Sequence, residues 1–138
     1  MVLETRIKMS ISRKKSDVVL KNEFTAMGSE AQVTRVLRNL VNEGFIVRMG
    51  VGVYAKAKIS VISKKPIPVR PVSVLAPEAL KKLGVNVFPS AMAREYNEGK
   101  TTQIPRDNVV NTGRRRIRRK LGFGNQTIKY ENDYAGRA

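Results

Sequence analysis

Two hydrophobic periods succeed one another along the first half of the chain, and the switch between them predicts its elements. Leu3, Ile7 and Ile11 recur at every fourth position, which lines one side of a helix over about residues 2–12. Arg13, Lys14 and Lys15 then break the stripe. Val18, Val19 and Leu20 predict a brief strand over 17–20, β-branched enough to extend but too short to stand unpaired. Asn22 fits the N-cap of a short helix that turns Phe24 and Met27 inward, and Gly28 fits the left-handed residue that ends it. Ser29 with Gln32 three positions on has the form of a capping box, and Val33, Val36, Leu37, Leu40 and Val41 keep helical spacing until Gly44. Beyond Gly44 the β-prone segments FIVRM (45–49) and VYAKA (53–57) flank Gly50, Val51 and Gly52, which predicts a tight hairpin. Helix, short strand, helix, turn, helix and hairpin in this order make the plan of a winged helix-turn-helix, in which the helix after the turn enters the DNA major groove.

The pattern changes again after residue 58. Pro66, Pro68 and Pro71 disfavour helix and central strand, so 59–71 is expected to be an extended connector between a first domain, 1–58, and a second, 72–138. In the second, helices are predicted near 74–83, stopped by Gly84, and near 90–97, with Ser90 as cap and Gly99 as stop. The segments TTQIP, NVV, RRRIRRKL and TIKYE predict strands, the last two joined through Gly122, Phe123, Gly124 and Asn125, and the tail from Asn132 is expected to fray. The fold class is therefore α+β, a winged helix-turn-helix followed by a small mixed domain.

Composition narrows the chemistry. The 138 residues are 41% hydrophobic, enough for cores, and contain neither cysteine nor histidine. Disulfides, thiolate nucleophiles, His-based general bases and the usual zinc or iron-sulfur sites are thereby excluded. The expectation is a non-enzyme with no cofactor and no metal. Glu95, Glu98 and Asp107 are the one group of carboxylates that suggests catalysis, and they read better as solvation of a helix end. No role is assigned to the polar-aromatic stretch from Tyr96 to Gln103. Against this, 27 Lys+Arg and 11 Asp+Glu give a formal net charge of +16, a field that calls for an anionic partner, nucleic acid foremost. The absence of a long apolar run and of an apolar centre near the N-terminus predicts a cytoplasmic protein without a membrane partner.

Placing Val33, Leu37 and Leu40 inward leaves Ala31, Arg35, Arg38, Asn39 and Asn42 on the opposite side of the third helix, with Ser29 and Gln32 at its start. Arg pairs bidentately with guanine, Gln and Asn with adenine, and Ala31 permits close approach. The same side chains also suit an ordinary solvated helix. Arg48, Lys56 and Lys58 lie on the hairpin within reach of phosphates, although lysines on edge strands also serve to prevent aggregation. Arg114, Arg115, Arg116, Arg118, Arg119 and Lys120 crowd around Ile117. As a strand they would set Arg116, Arg118 and Lys120 in one outward row along a phosphate backbone, with Arg119 beside Ile117 and Leu121 on the other side. An RNA surface, an acidic partner or a flexible loop are alternatives for that run.

The stretch FTAMGSEAQVTRVLRNLVNEGFIVRMGVGVYAKAK, residues 24–58, resembles the N-terminal domain of AbiEi-type antitoxins of type IV toxin-antitoxin and phage-defence systems. Gly28, Ser29, Leu37, Leu40, Gly44, Ile46, Arg48, Gly50, Gly52 and Tyr54 carry the likeness. The segments AREYNEGKTTQIP, NVVNTGRRRIRRKLGF and TIKY look like a compact, DUF-type subgroup often grouped with those antitoxins. The resemblance implies an autorepressor that binds inverted repeats upstream of its operon through Ser29, Gln32, Arg35, Arg38 and Arg48. It further implies opposition to a nucleotidyltransferase-like toxin encoded nearby, without necessarily touching it. The chain is much shorter than the best-known members of that family, with a reduced C-terminal portion. Inverted repeats call for two copies side by side, as cooperating monomers or a homodimer. The competing expectation is a basic RNA-binding or ribosome-associated protein, which the scarcity of stacking aromatics, four Phe, four Tyr and no Trp, disfavours.

Overall fold

The computed structural model describes residues 2–89, 98–99 and 108–132. The chain divides into two compact units, Met1–Pro71 and Val72–Ala138.

In the first unit, helix α1 (Leu3–Arg13) buries Ile7 and Ile11, with Leu3 packed at the edge of the core, as the four-residue spacing predicts. Strand β1 (Val18–Leu20) is buried at all three positions and pairs antiparallel with β3 (Val53–Ile59) through Val18↔Ala55, Val19↔Tyr54 and Leu20↔Val53. The short helix expected from Asn22 is instead a single turn of 3-10 helix, Lys21–Phe24, with Phe24 buried. The reason lies in its ends. Lys21 N–H still belongs to the sheet, bonded to the Gly52 carbonyl at 3.0 Å. Leu20 N–H is taken by the Glu23 carboxylate at 2.8 Å, and Met27 N–H by the Phe24 carbonyl at 3.0 Å, so the turn is tightened from both sides.

Helix α2 (Glu30–Asn42) opens on the capping box read from the sequence. Gln32 N–H donates to Ser29 Oγ at 3.2 Å and Ser29 N–H to Gln32 Oε1 at 3.0 Å. Val33, Val36, Leu37 and Leu40 are buried against Ile7, Ile11, Phe24 and Ile46 in one core. The helix stops where Gly44 enters the left-handed region at φ +81° and Phe45 N–H reaches back to the Leu40 carbonyl at 3.0 Å.

Strand β2 (Ile46–Gly50) and β3 form the hairpin, with a bulge between Arg48 and Gly50. Of the two flanking glycines only Gly52 takes positive φ, so the turn proper is Val51 and Gly52. The stretch expected to be a connector carries a further strand: β4 (Pro66–Pro68) pairs antiparallel with β3 through Ala57↔Pro68, Lys58↔Ile67 and Ile59↔Pro66. Its prolines are tolerated because a short edge strand leaves the missing N–H groups facing away from any ladder. Sheet pairing thus extends the first unit past residue 58 to Pro71.

The second unit starts with α3 (Val72–Lys82), which buries Val72, Leu75, Ala76, Ala79 and Leu80 and ends at Gly84, φ +84°, as its glycine signal predicts. Strand β5 (Val109–Asn111) covers most of the NVV segment and pairs in parallel with β8 (Lys129–Glu131). Strands β6 (Gly122–Phe123) and β7 (Gln126–Thr127) form a small hairpin about Gly124 and Asn125. The predicted TIKYE strand is therefore split. Ile128 is buried at the break, its N–H bonded to the Leu121 carbonyl at 2.9 Å, and the chain changes partner there. The basic run 114–120 is not a strand but irregular backbone between β5 and β6. The expected helix 90–97, the TTQIP strand and Glu95, Tyr96 and Asp107 lie outside the described residues. Both units mix helix and sheet, and the molecule is α+β, its N-terminal order that of a winged helix-turn-helix.

Candidate nucleic-acid interface

Burying Val33, Val36, Leu37 and Leu40 fixes the rotation of α2, because side chains three and four apart share a face. Ala31, Gln32, Arg35, Arg38, Asn39 and Asn42 are all exposed as a result, the arrangement expected from the sequence. The exposed face is not uniform. Thr34, Arg38 and Val41, at i, i+4 and i+7, turn toward the hairpin and line a groove of about 340 Å³. Arg35 and Asn39 do not line it, and with Ala31 and Asn42 they form the outer strip of the helix. The sequence placed Arg38 with the base-reading group, whereas the structure sets it beside Arg48.

Ser29 and Gln32 sit at the exposed start of α2, but their oxygens are occupied by the capping box. Gln32 keeps its NH2 donor and one lone pair of Oε1, but the bond from Ser29 N–H fixes the direction in which its carboxamide points. Arg48 is exposed on β2 and its Nε–H donates to the Gly50 carbonyl at 3.2 Å, which steers the guanidinium along the hairpin. Lys56 has a different environment from the one expected. It is half-buried, and its ammonium donates to the Lys14 carbonyl just past the end of α1. A cation there complements the negative end of the helix dipole, a structural role that leaves Lys56 turned toward its own chain. Lys58 stays exposed on β3.

Three carboxylates elsewhere in the unit are tied up in pairs. Asp17 accepts from Arg70 Nε at 2.7 Å, Glu23 pairs with Lys14 at 3.7 Å and Glu43 with Lys8 at 3.5 Å. Lys21, which the sequence reading passed over, joins Arg38 and Arg48 in the groove and pairs with the exposed Glu30 at 3.2 Å. Its position follows from the strand bond that anchors its backbone to Gly52, a long-range contact with no local signature.

In the second unit, Arg114, Arg115, Arg116, Arg118, Arg119 and Lys120 are all exposed, and Leu121 is buried below them with Ile117 partly so. Arg119 does not turn inward with Ile117 and Leu121, as strand alternation would require. The loop is held by its own carbonyls. Asn132 Nδ2–H donates to the Gly113 and Arg115 carbonyls, both at 2.9 Å, and Tyr130 OH donates to the Arg119 carbonyl at 2.6 Å. Arg115 Nη1–H donates to the Gly84 carbonyl at 3.2 Å, at the end of α3. Asn132, expected to begin a frayed tail, is thus a clamp. Burial pushes the Tyr130 hydroxyl above its ordinary pKa, and the nearby Arg119 guanidinium pulls the other way.

Among the described residues, no cluster of acidic side chains could hold a metal ion and no helix is long and apolar enough to cross a membrane. No curated protein and no solved structure matches the chain. A family profile does, over residues 4–135, which takes in both units and both basic surfaces. On that match the chain belongs to the DUF6088 family, a family of unknown function.

Proposed function

We propose that the chain is a sequence-specific double-stranded DNA-binding repressor, with α2 as the helix that enters the major groove. The observation that carries this reading is the outer strip of α2: Arg35 and Asn39 stand exposed, flanked by the small Ala31, on a helix whose other side is locked in the core. A guanidinium and a carboxamide on a rigid rod are the groups that discriminate guanine and adenine. The likeness of residues 24–58 to AbiEi-type antitoxins supports an autoregulatory role at an inverted-repeat operator, opposing a nucleotidyltransferase-like toxin encoded nearby. In this reading the protein acts in the cytoplasm as a binding protein, without catalysis or cofactor, as cooperating monomers or a homodimer.

Fluorescence anisotropy with fragments of the chain's own promoter and scrambled duplexes tests this. The promoter should bind more tightly than scrambled sequence, and Arg35→Ala should erase much of that preference, at about 1–3 kcal/mol for the lost base contact. Equal affinity for every duplex, unchanged by Arg35→Ala, would sink sequence-specific repression. The arginine-rich loop favours a second reading, an RNA-bound protein. Structured RNA displacing the promoter at equal concentration would decide for it.

A further inference from the structure

The groove beside α2 is built where the 3-10 turn, α2 and the β2–β3 hairpin converge. Lys21 comes from the 3-10 turn, Thr34 and Arg38 from α2, and Arg48 from β2, where it stands across the strands from Tyr54. Its floor and walls are mixed: three cations and a hydroxyl on one hand, Val41, Val51 and the largely buried Tyr54 on the other, and no carboxylate lines it. At about 340 Å³ the space exceeds what one phosphate fills. Cations for an anion and an apolar wall for a ring match one unit of a sugar-phosphate chain.

We infer that this groove seats a single sugar-phosphate of the DNA backbone, with Arg38 and Arg48 closing on the same phosphate and Tyr54 and Val41 against the deoxyribose. The inference rests on the DNA-binding reading and refines it. Arg38 becomes an anchor that carries no sequence information, and base discrimination is left to the outer strip with Arg35 and Asn39. Each cation has a distinct part. The Arg48 guanidinium is steered by its bond to the Gly50 carbonyl. Lys21 trades its exposed partner Glu30, a pair that water already screens, for the phosphate.

Two cations on one phosphate leave a signature that two separate contacts do not. Each phosphate neutralised contributes about −0.9 to the slope of log affinity against log salt. Promoter and scrambled duplexes are titrated across a salt series with the unaltered chain, R38Q, R48Q, the double variant and R35Q, with thermal unfolding confirming that each is folded. R38Q and R48Q should each weaken promoter and scrambled duplex by the same factor, about tenfold. The double variant should lose far less than the product of the two, and its slope should flatten by only about one phosphate. R48K, which keeps a point charge, should recover part of the loss.

A change in base preference by R38Q would overturn the inference and return Arg38 to the base-reading group. Multiplying losses with a slope change of about two phosphates would also overturn it, placing the arginines on different phosphates. In both cases R35Q would still report on the DNA-binding reading through its loss of preference. Absence of duplex binding by the unaltered chain would remove both.

Discussion

Ser29 and Gln32 have two uses for the same atoms. In the capping box, Ser29 Oγ and Gln32 Oε1 satisfy two N–H groups that the first turn of α2 would otherwise leave unpaired. Contact with DNA would call on the same side chains. The geometry favours the cap, so Ser29→Ala should lower stability by about 1 kcal/mol, measured by urea unfolding, and weaken promoter binding only by the accompanying loss of folded helix. More than tenfold weaker binding at unchanged stability would instead make Ser29 a contact residue. The capping box itself was legible because its spacing is local. The tie of Lys56 to the Lys14 carbonyl was not, since it joins residues 42 apart through the pairing of strands. Lys56 and Arg48 look alike in sequence, but Lys56 is drawn onto a distant part of the chain, whereas Arg48 stays exposed and bonds only to the carbonyl two residues on.

The elements that matched expectation are those whose own periodicity decides them. Helix α2 has caps at both ends and four buried positions at helical spacing, so tertiary packing confirmed what local preference had already selected. The arginine-rich run is the opposite case. Strand propensity and alternation suggested a row of cations, but a strand needs a partner for its N–H and C=O groups, and here the Arg115 and Arg119 carbonyls are taken by side chains. Tyr130 is part of that arrangement, and it makes the second unit sensitive to alkali. Burial holds the Tyr130 proton more tightly in the folded chain than in the unfolded one, raising the pKa above 10.0. The contribution is therefore intact below the ordinary tyrosine value and is lost as pH rises through the folded one. Deprotonation would also break the bond to the Arg119 carbonyl. Unfolding followed at about pH 9 and about pH 11 should show a loss in the native chain that Tyr130→Phe lacks. An identical loss in both would show that Tyr130 does not titrate in step with unfolding.

Within the formal charge of +16, two surfaces carry candidate contacts, the α2 and hairpin face of the first unit and the 114–120 loop of the second. They should make different demands on DNA. An irregular, exposed loop held by its backbone carbonyls can follow phosphates but offers no rigid frame for reading bases. The double variant Arg116→Gln and Arg118→Gln should therefore weaken promoter and scrambled duplex alike. It should flatten the salt dependence by up to about two phosphates while leaving their ratio unchanged. A change in that ratio, measured by anisotropy across a salt series, would show that the loop reads sequence. The family profile spans residues 4–135, the loop included.

What the sequence alone determined is what depends on neighbours in the chain: the rotation and ends of α2, the stripe of α1, the hairpin, the α+β class and the strong positive charge. Tertiary structure decided the features whose partners are far away. It brought Pro66–Pro68, within the stretch expected to be a connector, into a sheet, because β3 offered them an open edge. It reduced the first helix of the motif to one turn, because Lys21 was already bonded to Gly52. It also separated Arg38 from Arg35, which a helical wheel cannot do, since the wheel shows which side is exposed but not what stands beside it. Periodicity reports burial; only the packing of β2 against α2 creates a groove with Lys21, Arg38 and Arg48 on its walls.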